Sequence, residues 1–149
     1  MPDDIKGFVK RALDKLFHKD AELLQNNVNE RTITHKLAEY LELEFPDWDV
    51  DCEYNRSHDQ TKKLRSLLNR PVSIDNTDGI SVFPDIIVHK RMTDENLLVI
   101  EVKKSTSSES SEFDKQKLSA FKEELHYKHA LFLRIKTGSK ELGSEQEWM

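Results

Sequence analysis

The chain has 149 residues, 36% hydrophobic and 34% charged, with a net charge of −5. That length predicts one domain with room for a true core, and apolar residues recurring at helix and strand periods exclude a disordered chain. The single cysteine, Cys52, excludes an internal disulfide framework, and the six histidines show no cysteine–histidine spacing that would hold zinc.

A first helix is expected over 3–18, where Ile5, Phe8, Val9, Ala12, Leu13, Leu16 and Phe17 fall on one stripe and Asp3 or Asp4 can cap it. Either that stripe covers the chain's own sheet or it pairs with a second copy. The charged opening residues and the lack of any long apolar run predict a cytoplasmic protein with neither signal peptide nor membrane span. A short helical piece at 21–24 and a break at Asn26-Asn27 lead into a helix over 30–44, which Pro46 stops.

Ile33, Leu37, Tyr40 and Leu41 recur at helical spacing in that second helix. At about 100° per residue Glu30 lies on the same core-facing stripe, whereas Glu39 points to solvent. An acid in the first turn, with Asn29 before it, is either a cap or a metal ligand. Residues 49–55 alternate as a strand with Val50, Cys52 and Tyr54 inward, which makes Cys52 inert packing. The stretch that follows is basic: Arg56, Lys62, Lys63, Arg65 and Arg70 stand against Asp59 alone. Leu64, Leu67 and Leu68 suggest a short helix inside it, and Asn76 to Gly79 a turn.

Residues 85–88 and 97–102 read as strands, rich in β-branched and apolar side chains, with a polar hairpin loop from His89 to Asn96. Opposed residues of an antiparallel pair share a constant positional sum, here about 186 for a hairpin centred near Thr93, which sets Asp85 opposite Glu101. Both faces of 97–104 begin apolar, so this strand should be central and covered on both sides. Glu101 and Lys103 then appear together on one face, where burial penalises charge unless a partner or metal compensates. The constellation is either a divalent-metal site with an ammonium beside it, or a plain Glu101–Lys103 ion pair with Asp85 in a turn.

A polar loop at 105–111 should open into a helix over 112–126, with Ser111 and Asp114 as a capping box and Phe113, Leu118, Phe121 and Leu125 buried. A last strand is expected at 130–135, followed from Gly138 by a charged tail of no evident fold. The helix before that strand is then a crossover, which gives an α/β fold with a mixed sheet and helices on both faces.

Pro84-Asp85, Glu101-Val102-Lys103 and this order of elements resemble the PD-(D/E)XK nuclease superfamily, over about residues 29–136, in a small stand-alone member of bacterial or phage type. The resemblance implies a single three-layer α/β/α domain over 1–149, with a central mixed sheet of about four strands. Its αβββαβ core would carry an extra N-terminal helix (3–18), a basic insertion (56–80) and a charged tail (137–149). The implied activity is Mg²⁺-dependent hydrolysis of phosphodiester bonds, with DNA as the expected substrate and Mn²⁺ as a substitute metal. Asp85, Glu101 and Lys103 would be catalytic. Asp85, Glu101, the Val102 carbonyl and Glu30 would hold metal, and Asp114, Gln116 or Lys117 would take the family's variable polar position. Lys103 would act electrostatically, because neighbouring carboxylates favour its ammonium form.

Arg56, Lys62, Lys63, Arg65, Arg70, Lys104, Lys115 and Lys117 would contact the phosphate backbone, and a homodimer is expected for cutting two strands. The insertion and the acidic net charge depart from the family pattern, the latter weakening phosphate affinity. The alternatives are a catalytically inactive module that binds nucleic acid or a protein partner, and a dimerisation domain built on the first helix.

Overall fold

The computed structural model of the chain describes residues 4–53 and 83–149. Helix α1 (Ile5–Lys19) is capped by Asp4, whose Oδ1 accepts the Gly7 N–H at 3.1 Å. Ile5, Val9, Ala12, Leu13 and Leu16 are buried in the chain's own core, where α1 packs on α3. Each of the larger side chains, Ile5, Val9, Leu13 and Leu16, contributes on the order of 1.5–3 kcal/mol relative to exposure, so the apolar stripe of α1 covers its own chain.

Helix α2 (Ala21–Gln25) ends at a turn in which Asn27 takes φ 56°, a left-handed conformation that asparagine tolerates better than most residues. Helix α3 (Glu30–Glu44) starts where the sequence predicts, because Asn29 Oδ1 accepts the Thr32 N–H at 2.8 Å. Asn29→Ala is expected to cost about 1 kcal/mol, seen as a lower urea midpoint with an unchanged slope. An unmoved midpoint would show that this cap contributes nothing.

The strands are β1 (Asp49–Cys52), β2 (Ile86–His89), β3 (Asn96–Lys104), β4 (His129–Ile135) and β5 (Ser144–Trp148). They lie in that order across one mixed sheet, parallel only between β3 and β4. Helix α4 (Glu112–Glu124) makes the crossover that a parallel pair requires. Among the described residues this is a mixed α/β fold of four helices and five strands.

Two cores take alternate residues of the central strand. Leu98, Ile100 and Val102 join the buried residues of α1 and α3, whereas Val99 joins Leu118, Ala120 and Phe121 of α4. Pairs Ile86↔Ile100, Ile87↔Val99 and Val88↔Leu98 follow the predicted hairpin register. It slips only between Val88 and His89, so that His89 faces Asn96. That irregularity sits at the loop end and leaves the Asp85 end in register.

At the loop end Asp51 ties β1 to the hairpin. It meets His89 Nε2 at 2.6 Å and accepts both a 2.9 Å and a 2.5 Å bond from Arg91. Arg91 holds the Asp51 carboxyl below its ordinary value.

Three expectations are corrected. The charged tail has a fold: Ser144–Trp148 pairs antiparallel with β4, as an edge strand whose Glu145, Gln146 and Glu147 are exposed. Charge on an edge discourages further pairing. Cys52 is exposed at the last position of β1 rather than packed inward. Ser111 makes no side-chain cap bond; Ser110 Oγ accepts the Glu112 N–H at 3.1 Å, and Asp114 is engaged elsewhere. The expectations for Tyr54 and for the insertion 56–80 lie outside the described residues.

Candidate active site

Four elements converge at the C-terminal end of β3: the residue before β2, the first turn of α3, the first turns of α4, and β3 itself. The hairpin register brings Asp85 onto Glu101. The Asp85 N–H donates to Glu101 Oε2 at 2.9 Å, and Asp85 Oδ2 accepts the Val102 N–H at 2.8 Å. Each acid therefore holds the other strand's backbone, which fixes both carboxyl groups at one end of the hairpin. Glu101 is 1% exposed, while Asp85 keeps partial contact with solvent.

Helix α4 supplies cation and anion in turn. Lys117 Nζ lies 2.7 Å from Glu101 Oε1 and donates to the Phe83 carbonyl at 3.4 Å. Lys103, the lysine of the sequence motif, points to α4 as well, but its Nζ pairs with Asp114 Oδ2 at 2.7 Å and with Glu109 Oε2 at 3.7 Å. Both lysines are buried. The two ion pairs thus cross between strand and helix: Glu101 with Lys117, and Lys103 with Asp114.

Burial, followed by the neighbouring Glu101 charge, holds the Asp85 carboxyl well above its ordinary value; Lys117 and the Val102 N–H oppose this. Burial also raises Glu101, with Lys117 pulling it back. For Lys103 and Lys117 burial acts to lower the pKa, yet Asp114 and Glu101 respectively outweigh it and keep both ammonium groups charged.

The strained carboxyl has a measurable consequence. A carboxyl whose folded pKa is raised stabilises the fold fully below its unfolded pKa, and loses that contribution as pH rises through the folded value. At neutral pH an ionised Asp85 therefore works against folding. Asp85→Asn keeps an acceptor for Val102 without the charge, and is expected to raise the melting temperature at pH 7.5. The gain should vanish in acid, below the ordinary carboxyl value of 3.8, where the wild-type group is protonated in both states. A variant that melts lower than wild type at pH 7.5 would show that Asp85 is not under this load.

Glu30 approaches from α3, and its Oε2 accepts the Lys104 N–H at 3.1 Å. It docks the N-terminus of α3 on β3, and its charge is felt at Asp85 and Lys103. It does not complete a three-acid cluster: among the described residues no three His, Cys, Asp or Glu side chains are grouped to hold a metal ion. The chemistry of Asp85 and Glu101 fits a hard divalent cation such as Mg²⁺, and Asp85 is only partly buried. Glu101 Oε1, however, already faces an ammonium.

The expected phosphate contacts divide. Lys104 Nζ donates to Asn27 Oδ1 and the Val28 carbonyl, both at 3.2 Å, and Lys115 Nζ pairs with Glu147 at 2.8 Å. Lys117 is a buried partner of Glu101 instead of a surface contact, and Gln116 is exposed. Arg56, Lys62, Lys63, Arg65 and Arg70 lie outside the described residues. The signal for Lys117 was present in the sequence: it stands four residues from both Phe113 and Phe121, on the apolar stripe of its helix. Asp114, three residues before it, shares that side.

No family model, no curated protein and no solved structure matches the chain. Among the described residues no helix is long and apolar enough to cross a membrane.

Proposed function

We propose that the chain is a metal-dependent nuclease of the PD-(D/E)XK type, a three-layer α/β/α domain that hydrolyses phosphodiester bonds of DNA. The observation that carries this reading is the reciprocal backbone clasp of Asp85 and Glu101 at a strand end, with Lys117 on Glu101 and the motif lysine, Lys103, paired with Asp114 two residues further along β3. Burial of Glu101, Lys103 and Lys117 at one strand end supports that reading, since apolar residues of similar volume often serve stability at least as well.

Asp85, Glu101 and the Val102 carbonyl would hold Mg²⁺, or Mn²⁺ in its place, with Glu30 alongside. When bound, the ion supplies Lewis-acid polarisation of the phosphate and a more acidic water. The chain's own contribution is charge placement. Asp114 holds Lys103 charged, so Lys103 would act on the negative charge that develops on the phosphate oxygens and not as a base. Glu30 seats the end of β3 through the Lys104 amide and so fixes the stem of Lys103. Phosphate contacts beyond the reacting group are assigned to Lys104 and to the basic residues between 56 and 70, with a homodimer presenting two such sites to a duplex.

The test is cleavage of plasmid and single-stranded DNA in Mg²⁺ or Mn²⁺ by wild type, Asp85→Ala and Lys103→Ala. Cutting by wild type alone supports the reading; equal cutting by all three would mark a contaminant. One observation favours a second reading. Glu101 is already matched by Lys117, and the three acids are not grouped as a chelate, as in an inactive module that binds nucleic acid or a partner. That module predicts salt-sensitive DNA binding without metal-dependent cutting. A dimerisation domain loses its main support, because the stripe of α1 is buried in its own core.

A further inference from the structure

We infer that Lys117 is the resident counter-ion of the Asp85–Glu101 pair, and that a divalent cation enters this site only in competition with it. The inference rests on the proposed metal-binding reading and adds how that site is regulated. Glu101 is 1% exposed and both its oxygens are engaged, Oε1 by Lys117 at 2.7 Å and Oε2 by the Asp85 N–H at 2.9 Å. The motif lysine does not play this part, for Lys103 is committed to Asp114 at 2.7 Å.

A dication shared by Asp85 and Glu101 with Lys117 in place would set three positive charges against two carboxylates inside a poorly screened interior. One of the two cations must therefore withdraw. Lys117 has the means to do so. Its ammonium sits at the end of a flexible four-carbon stem rooted on α4. A second acceptor, the Phe83 carbonyl, lies 3.4 Å from Nζ, and the Phe113 ring centroid 5.7 Å away offers its face to a cation. Rotation of the stem toward these groups would free Glu101 Oε1 without moving the backbone of β3. The pair Asp85–Glu101 is thereby held shut against metal in the resting protein, at the expense of affinity.

The experiment is calorimetric titration of Mn²⁺ into the full chain as wild type, Lys117→Met, Lys117→Gln and Asp85→Ala. Both Lys117 variants should bind Mn²⁺ at least tenfold more tightly than wild type, and Asp85→Ala should abolish the binding. Both Lys117 variants should also melt lower than wild type without metal, and gain more melting temperature than wild type as Mn²⁺ is added. Should Lys117→Met fail to fold in the absence of metal, recovery of its circular dichroism on adding Mn²⁺ supports the inference, and no recovery at any concentration overturns it. Equal or weaker Mn²⁺ affinity in the folded Lys117 variants overturns the inference and leaves the metal site standing. Absence of Mn²⁺ binding in every folded protein overturns the metal-binding reading and the inference with it. Binding that survives Asp85→Ala lies elsewhere and also overturns the inference.

Discussion

Glu101→Ala is expected to destabilise the fold by about 3–5 kcal/mol, because it leaves the Lys117 ammonium in the interior without its carboxylate. A domain of this size has about 5–15 kcal/mol of stability in total, so the variant should lie close to unfolding. At roughly 2–4 °C per kcal/mol for chains near this length, the melting temperature should drop by more than in the Asn29 variant. The physical cause is asymmetric. Removing one member of a buried pair strands the other, whereas removing both exchanges two desolvated charges for apolar contacts. Glu101→Leu combined with Lys117→Met should therefore recover most of the loss, even though it destroys the site. Measured by urea unfolding, a double variant no more stable than Glu101→Ala would show that the pair is held by something other than mutual charge.

The second large effect is on catalysis. Loss of one well-placed charge-stabilising group typically costs about 10²–10³ in turnover, and Lys103→Ala should lose that much DNA cleavage. The effect must be separated from folding, because Asp114 is left without the ammonium that lies 2.7 Å away. Lys103→Arg separates the two, since a guanidinium keeps the charge beside Asp114 but not the shape of an ammonium. The variant should fold like wild type while cutting remains reduced. Full cutting by Lys103→Ala would remove Lys103 from the mechanism and point to Lys117 as the ammonium that matters.

The hairpin was legible in the sequence for a physical reason. Two apolar, β-branched runs flank a polar loop of fixed length, and antiparallel geometry then leaves little choice of partner for Asp85. Helix α3 was legible because its start and stop are local, with Asn29 capping one end and Pro46 following the other. Strand β5 was not, because Ser-Glu-Gln-Glu-Trp has no apolar alternation and is held by the backbone of β4. Cys52 followed the alternation of β1 on paper, yet it stands at the strand's last position and is exposed.

Within the site, sequence spacing placed Asp85 and Glu101 together, whereas the Glu101–Lys103 ion pair, one of its two readings there, is not the pair that forms. Adjacency along β3 suggested Glu101 with Lys103. The partner of each is instead chosen by α4, which packs over that face and presents Lys117 and Asp114. Pairing between a strand and a crossover helix depends on how the helix is rotated over the sheet. Periodicity reports that rotation only in outline, through the position of Lys117 between Phe113 and Phe121. The capping role expected of Asp114 gave way for the same reason: a buried ammonium is a stronger claim on a carboxylate than an exposed backbone amide.

The most direct test of the central claim is a crystal soaked in Mn²⁺ and measured at the manganese absorption edge. An anomalous peak bonded to the carboxylates of Asp85 and Glu101, with Lys117 turned away from Glu101, is the predicted result. A fully occupied Mn²⁺ bound elsewhere on the protein, with Lys117 still on Glu101, would contradict the account.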